Sequence, residues 1–132
     1  MTDALNSAIA ALLNGDLARA EREFRAVLQN EPANPVALIN LGVVLRQQGR
    51  LADAIATFER AAAADPQNFR AFANLGVALQ QARRLEDAVA AYRAAYRLEP
   101  RAVRQIAVNL SAPGTGMLFL DPRRLEDFLA AD

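Results

Sequence analysis

Residues 35–68 read PVALINLGVVLRQQGRLADAIATFERAAAADPQN, and residues 69–102 read FRAFANLGVALQQARRLEDAVAAYRAAYRLEPRA. Set one above the other, the two strings keep step without a gap. Asn40 falls over Asn74, Gly42 over Gly76, Leu51 over Leu85, Ala54 over Ala88, Phe58 over Tyr92 and Pro66 over Pro100. Carried back by the same 34 positions, the register meets Asn6, Ala8, Leu17, Ala20, Phe24 and Pro32. Three units follow, 1–34, 35–68 and 69–102, with nothing inserted between them. A fixed period of this size marks stacked supersecondary modules, each unable to bury its apolar face alone.

Each unit predicts two helices. Apolar residues recur at helical spacing in the first half, as in Leu38, Leu41, Leu45 and Phe72, Leu75, Leu79. A turn follows at Asn14-Gly15-Asp16, Gln48-Gly49-Arg50 and Ala82-Arg83-Arg84. Gly15 and Gly49 suit a left-handed helix end, whereas Arg83 in the third unit predicts a strained or differently built turn. Asp16 can cap the helix after it, and Asn34-Pro35 reads as a cap followed by proline at the first helical position. The second helices carry the stripes Leu51, Ile55, Phe58, Ala62 and Leu85, Val89, Tyr92, Tyr96. Pro32, Pro66 and Pro100 stop them, because proline lacks an N–H and disfavours helix in the residue before it. The small residues Ala8, Gly42, Gly76 and Ala20, Ala54, Ala88 let the two helices of a unit approach closely. Phe58 and Tyr92 are expected to fill the space between a unit and its neighbour.

Leu41-Gly42, Leu45, Ala54, Phe58, Ala61, Pro66 and their counterparts Leu75-Gly76, Leu79, Ala88, Tyr92, Ala95, Pro100 resemble the tetratricopeptide repeat. The resemblance covers residues 1–102 and is weakest in the first unit, where Ser7, Ala8 and Ala11 replace larger or glycine residues. It implies an all-α, right-handed helical-hairpin solenoid of three repeats plus a capping helix and a tail.

Beyond Pro100, the sequence predicts a capping helix over 101–111, with Val103, Ile106, Ala107 and Leu110 on one face, closing a solenoid of 1–111. Ala112-Pro113-Gly114-Thr115-Gly116 interrupts it and opens a tail, 112–132. Asp121-Pro122 starts a short helix over 122–131, with Leu125, Phe128 and Leu129 as its apolar side. The segment from Met117 to Leu129 either folds back over the end of the solenoid, enters a groove, or stays disordered. Gly114-Thr115-Gly116 is no phosphate loop, since it lacks the glycine spacing, the lysine and the strand.

Composition narrows function by removal. The chain has 132 residues, no Cys, no His, and Arg as its sole basic residue. Cysteine nucleophiles, thiolate or imidazole metal sites, histidine bases and lysine Schiff bases are therefore all excluded. No cofactor, metal or catalytic residue is expected. Fifteen basic residues balance fifteen acidic ones, which argues against a nucleic-acid binder. No apolar run approaches the ~20 residues that span a bilayer. The N-terminus lacks the positive region of a secretory signal, so the expectation is a soluble, cytoplasmic protein. Abundant Ala with Arg in place of Lys points to a GC-rich bacterial genome. The carboxylate neighbours Glu86-Asp87 and Glu126-Asp127 point different ways on a helix and form no catalytic pair.

The resemblance implies that the first helix of each unit lines a concave groove. Carried over residue by residue, the groove holds Leu5, Asn6, Ile9, Leu12 and Leu13, then Val36, Ile39, Asn40, Val43, Arg46 and Gln47. The third unit adds Arg70, Ala73, Asn74, Val77, Gln80 and Gln81. Asn6, Asn40 and Asn74 would form a ladder able to pair with a peptide backbone, or else bond neighbouring backbone or side chains and merely set helix packing. The basic residues with which some relatives grip a terminal carboxylate are mostly missing: Leu5 and Ile9 stand in the first unit and Asn74 in the third, with Asn40 and Arg70 alone matching. The expected partner is a protein or peptide segment, an amphipathic helix or an apolar strand. Two other readings stand beside this one. The chain could self-assemble through its apolar first unit or its tail, or serve as the targeting domain of a larger enzyme.

Overall fold

The structure, a computed structural model, describes residues 3–110 and 122–131. It forms two compact units, Met1–Pro66 and Gln67–Asp132. The first holds α1 (Asp3–Leu13), α2 (Leu17–Asn30), α3 (Pro35–Gln47) and α4 (Leu51–Ala64). Helices α1 and α2 pair as one hairpin and α3 and α4 as another; α2 packs on α3, and α1 also touches α3. Their apolar stripes meet in a core of Leu5, Phe24, Leu38, Leu41, Leu45 and Phe58, each at most 2% exposed.

The turns fix this packing. Gly15 and Gly49 take φ of +79° and +81°, a region that a Cβ disfavours. The next residue then reaches back: Asp16 N–H donates to the Ala11 carbonyl and Arg50 N–H to the Leu45 carbonyl, both at 2.9 Å. Asp16 accepts from Arg19 N–H at 3.3 Å, and Asn34 from Ala37 N–H at 3.1 Å with Pro35 following. Helices α2 and α4 end two residues before Pro32 and Pro66.

Gly42 explains why the helices of the second hairpin lie so close. A Cβ built there would fall 2.4 Å from the Phe58 ring. The ring therefore lies over the glycine of its own hairpin. The sequence placed Phe58 and Tyr92 between neighbouring units; one side of each ring fills the recess that the missing Cβ leaves in its own hairpin.

The second unit holds α5 (Phe69–Gln81), α6 (Leu85–Leu98), a 3₁₀ turn at Pro100–Ala102, α7 (Val103–Leu110) and α8 (Pro122–Ala130). Helices α5 and α6 repeat the hairpin, and a Cβ on Gly76 would meet the Tyr92 ring at 2.7 Å. Arg83 adopts φ of +65°, and Arg84 N–H donates to the Leu79 carbonyl at 2.9 Å. The turn is thus built as in the other two hairpins, with arginine held where glycine is easier, at a strain of about 1 kcal/mol.

The capping helix expected from residue 101 begins later. Pro100 cannot donate, and Ala102 N–H bonds the Glu99 carbonyl at 2.9 Å in a tight 3₁₀ turn. The Glu99 carboxylate accepts from the backbone N–H and Nε of Arg101, at 3.2 and 3.1 Å. These bonds hold its carboxyl below the usual range. Helix α8 ends at Ala130 rather than 131, although Ala131 N–H still donates to the Asp127 carbonyl at 3.1 Å. It packs on α6 and touches α7, with Leu129 fully buried. Segment 111–121, which carries the glycine-rich stretch and Met117-Leu118-Phe119-Leu120, lies outside the described residues, as do the side chains of Val103, Ala107, Leu110 and Leu125. Among the described residues, no helix is long and apolar enough to cross a membrane.

Candidate functional site

The first helices α1, α3 and α5 carry every residue the sequence assigned to a binding surface. In the first unit, α3 presents Val36, Ile39, Asn40, Val43, Arg46 and Gln47 with partial or full exposure. Asn40 Nδ2 donates to the Val36 carbonyl one turn back, at 2.9 Å. An asparagine amide carries two N–H groups and a carbonyl. The bond to the helix's own backbone therefore leaves one N–H and the Oδ1 open, with the side chain held in one orientation. On α1, beside α3, Asn6 is exposed and Ile9 half-buried. Its backbone partner one turn back would be Thr2, outside the described residues.

Leu5 departs from the expectation. It is 2% exposed and belongs to the core of the first hairpin, not to an open face. Leu13 goes the other way, at 80% exposed.

In the second unit, α5 presents Arg70, Asn74, Val77 and Gln81. Asn74 Nδ2 donates to the Arg70 carbonyl at 2.8 Å, repeating the Asn40 geometry. The Arg70 guanidinium lies 5.9 Å from the centre of the Phe69 ring. Gln80 is tied down: its Oε1 accepts from the Tyr92 hydroxyl at 2.8 Å, which satisfies a phenol buried within the hairpin. Each unit thus offers a helix face that carries one oriented asparagine and a valine, Val43 or Val77.

Two features escaped the sequence. One is the bond from Arg50 Nη1 to the Glu21 carboxylate on α2, at 2.9 Å and across 29 residues; Arg25 Nε, at the i,i+4 spacing the sequence shows, donates to the same carboxylate at 2.9 Å. Burial alone would raise its pKa; the bonds from Arg25, Arg50 and Gln48 and the Arg50 charge outweigh burial and lower it. The other is a cleft of about 420 Å³ lined by Leu85, Glu86, Val89 and Arg93 of α6 and Phe128 of α8. Arg93 joins its walls: Nε donates to the Phe128 carbonyl at 3.0 Å, and the guanidinium sits 4.6 Å from the ring centre. These partners stand 35 residues apart, so no local pattern announces them. Leu85, Val89 and Phe128 read only as packing stripes; the signal was Arg93 itself, a charge among apolar neighbours on α6.

Tetratricopeptide repeat profiles match residues 5–69 and 45–102, the span in which these hairpins and asparagines lie. The chain belongs to the tetratricopeptide repeat family. Solved tetratricopeptide proteins share its fold. The chain is 29% identical to an O-GlcNAc transferase of Thermobaculum terrenum, with a TM-score of 0.76 over 96% of this chain, yet it spans only 24% of that enzyme. It is 26% identical to MamA MSR-1, with a TM-score of 0.70, covering 96% of this chain and 74% of MamA. The Yersinia enterocolitica type III secretion translocator chaperone SycD has the same fold, at 20% identity and a TM-score of 0.74, with 84% of this chain and 89% of SycD covered. A comparison with curated protein sequences gave no match.

Proposed function

We propose that this tetratricopeptide protein is a non-enzymatic interaction module that binds a peptide or helix segment on the faces of its first helices. One observation carries the reading. Asn40 and Asn74 bond the carbonyl one turn back in their own helix, at 2.9 and 2.8 Å, instead of bridging to another helix. Their remaining amide groups stay available to a partner's backbone, beside Val43 and Val77. Family membership supports the same reading. So does the role of SycD, which is itself a secretion translocator chaperone.

The test replaces Asn40 and Asn74 with Ala, singly and together, and measures affinity for a partner segment captured by the unaltered chain. Both substitutions keep a good helix former on a helix surface, so the melting midpoint should hardly move. Affinity should fall about tenfold for the double variant, given roughly 0.5–1.5 kcal/mol per lost hydrogen bond. Unchanged affinity in both single variants ends the reading.

A second reading has a specific observation behind it. Nearly the whole chain matches about a quarter of the O-GlcNAc transferase. On this reading the chain is the targeting part of a longer enzyme. An immunoblot of native cells, raised against this chain, separates the two: a band at the mass of 132 residues rejects the longer protein.

A further inference from the structure

We propose that a cleft between α2 and α4 is a carboxylate-binding site, for a glutamate side chain of a partner segment. It lies between the second helices of two neighbouring hairpins and uses neither asparagine face. Arg25, Leu28 and Gln29 share one face of α2, at i, i+3 and i+4, and Arg60 of α4 completes the lining. The cleft holds about 280 Å³, just below the ~300–1,000 Å³ typical of sites for whole small molecules, which suits a single side chain. Leu28 is half-buried and the other three are exposed, so the lining joins three polar side chains to one apolar one.

Both arginines are already held in place, and neither is used up. Arg25 Nε and Nη2 each lie 2.9 Å from Glu21 Oε2, which leaves Nη1 without a partner among the described residues. Arg60 Nη2 donates to the Pro32 carbonyl at 3.4 Å, across 28 residues, which leaves its Nε and Nη1 likewise. Gln29 makes no hydrogen bond among the described residues. Charge then selects the occupant. Glu21 and Asp53 face Arg25 and Arg50, two carboxylates against two guanidiniums. Arg60 has no ion pair among the described residues, so its charge is in excess. Among the described residues no acidic side chain lines the cleft; Glu31 and Glu59, close by in sequence, stand outside it. An uncompensated guanidinium with a second guanidinium and an open amide fits a carboxylate and repels a cation. Leu28 gives the aliphatic stem of a glutamate an apolar contact, which inorganic phosphate has no means to use.

The experiment is an NMR titration of the full chain, read at backbone amides and arginine Nε–H groups. The probes are a short end-blocked peptide of leucine, alanine and glutamate, the same peptide with glutamine for glutamate, and sodium phosphate at matched ionic strength. The expected result is shifts at residues 25–29 and 60 that saturate with the glutamate peptide alone. Arg60→Gln, at an exposed position, should weaken that binding about fivefold and leave the rest of the spectrum native. Arg104→Gln, which removes an equal charge from the exposed side of α7, should leave the binding unchanged. The proposal is overturned by saturation with the glutamine peptide or with phosphate, by unchanged affinity in Arg60→Gln, or by an equal loss in Arg104→Gln. It is also overturned by shifts that fall only on α1, α3 or α5, which would assign the peptide to the asparagine faces, and by no saturable shifts at millimolar peptide.

Discussion

The second and third hairpins hold the same ring over the same glycine, but close the joint differently. In α3–α4 the ring is Phe58 and the turn is made by Gly49. In α5–α6 the ring is Tyr92, its hydroxyl donated to Gln80 at 2.8 Å, and the turn is made by Arg83 at φ +65°. One hairpin is closed by shape alone. The other adds a hydrogen bond and accepts backbone strain. The difference teaches that the repeat preserves the glycine recess and its ring, and varies what surrounds them.

Removing the ring should break the comparison hardest. Phe58→Ala should cost about 3–5 kcal/mol in urea unfolding, as expected for emptying a fully buried aromatic site. A loss near that of a surface change would mean the ring is not the keystone. Filling the recess comes next. Gly42→Ala forces a methyl into the ring, and the clash of about 1–3 kcal/mol should exceed the ~1 kcal/mol gained in helix propensity. Gly76→Ala should be milder, since its added Cβ meets the ring at 2.7 Å against 2.4 Å. If Gly76→Ala proves the more damaging, the two joints are not equivalent.

Smaller effects sharpen the contrast. Tyr92→Phe removes the bond to Gln80 and should cost about 1 kcal/mol. At the turns the signs should be opposite. Arg83→Gly should raise stability by roughly 0.5–1 kcal/mol, and Gly49→Ala should lower it by about 1 kcal/mol. The smallest effect is electrostatic. Glu21 has a lowered pKa in the folded chain, so its stabilisation is complete above the unfolded value of about 4.3 and is lost as pH falls through the folded one. Acid unfolding of Glu21→Gln should therefore be less steep below pH ~4, by under about 1 kcal/mol, because Arg50 is 43% exposed and solvent screens the pair.

The hairpins were legible because their signals are local and repeated. Asn34-Pro35 starts α3, Gly49 ends it, and Pro66 follows α4, each by a rule that needs only neighbouring residues. Position within the stack was not local. The sequence gave no sign that Phe58 and Tyr92 would each lie against the glycine of its own hairpin, a contact across 16 residues. Leu5 was assigned outward by carrying the family's groove positions onto the weakest unit, yet it is buried. Arg83 was read as a doubt at the turn; the bond from Arg84 to the Leu79 carbonyl holds it in the left-handed region regardless. For the candidate site, the sequence supplied Asn40 and Asn74 and left open whether they bond neighbouring backbone; both do, to the carbonyl one turn back. It gave no view of the α6–α8 cleft, whose walls meet across 35 residues.

The ring-over-glycine joint also bears on how the chain is made. Gly42 and Phe58 are 16 residues apart, as are Gly76 and Tyr92. Loops that short close at little entropic cost, and low contact order favours rapid folding. At translation speeds of roughly 5–20 residues per second, each joint has time to form soon after its aromatic leaves the ribosome, before the following segment is complete. The order of assembly during synthesis should thus run from the N-terminus, one joint at a time.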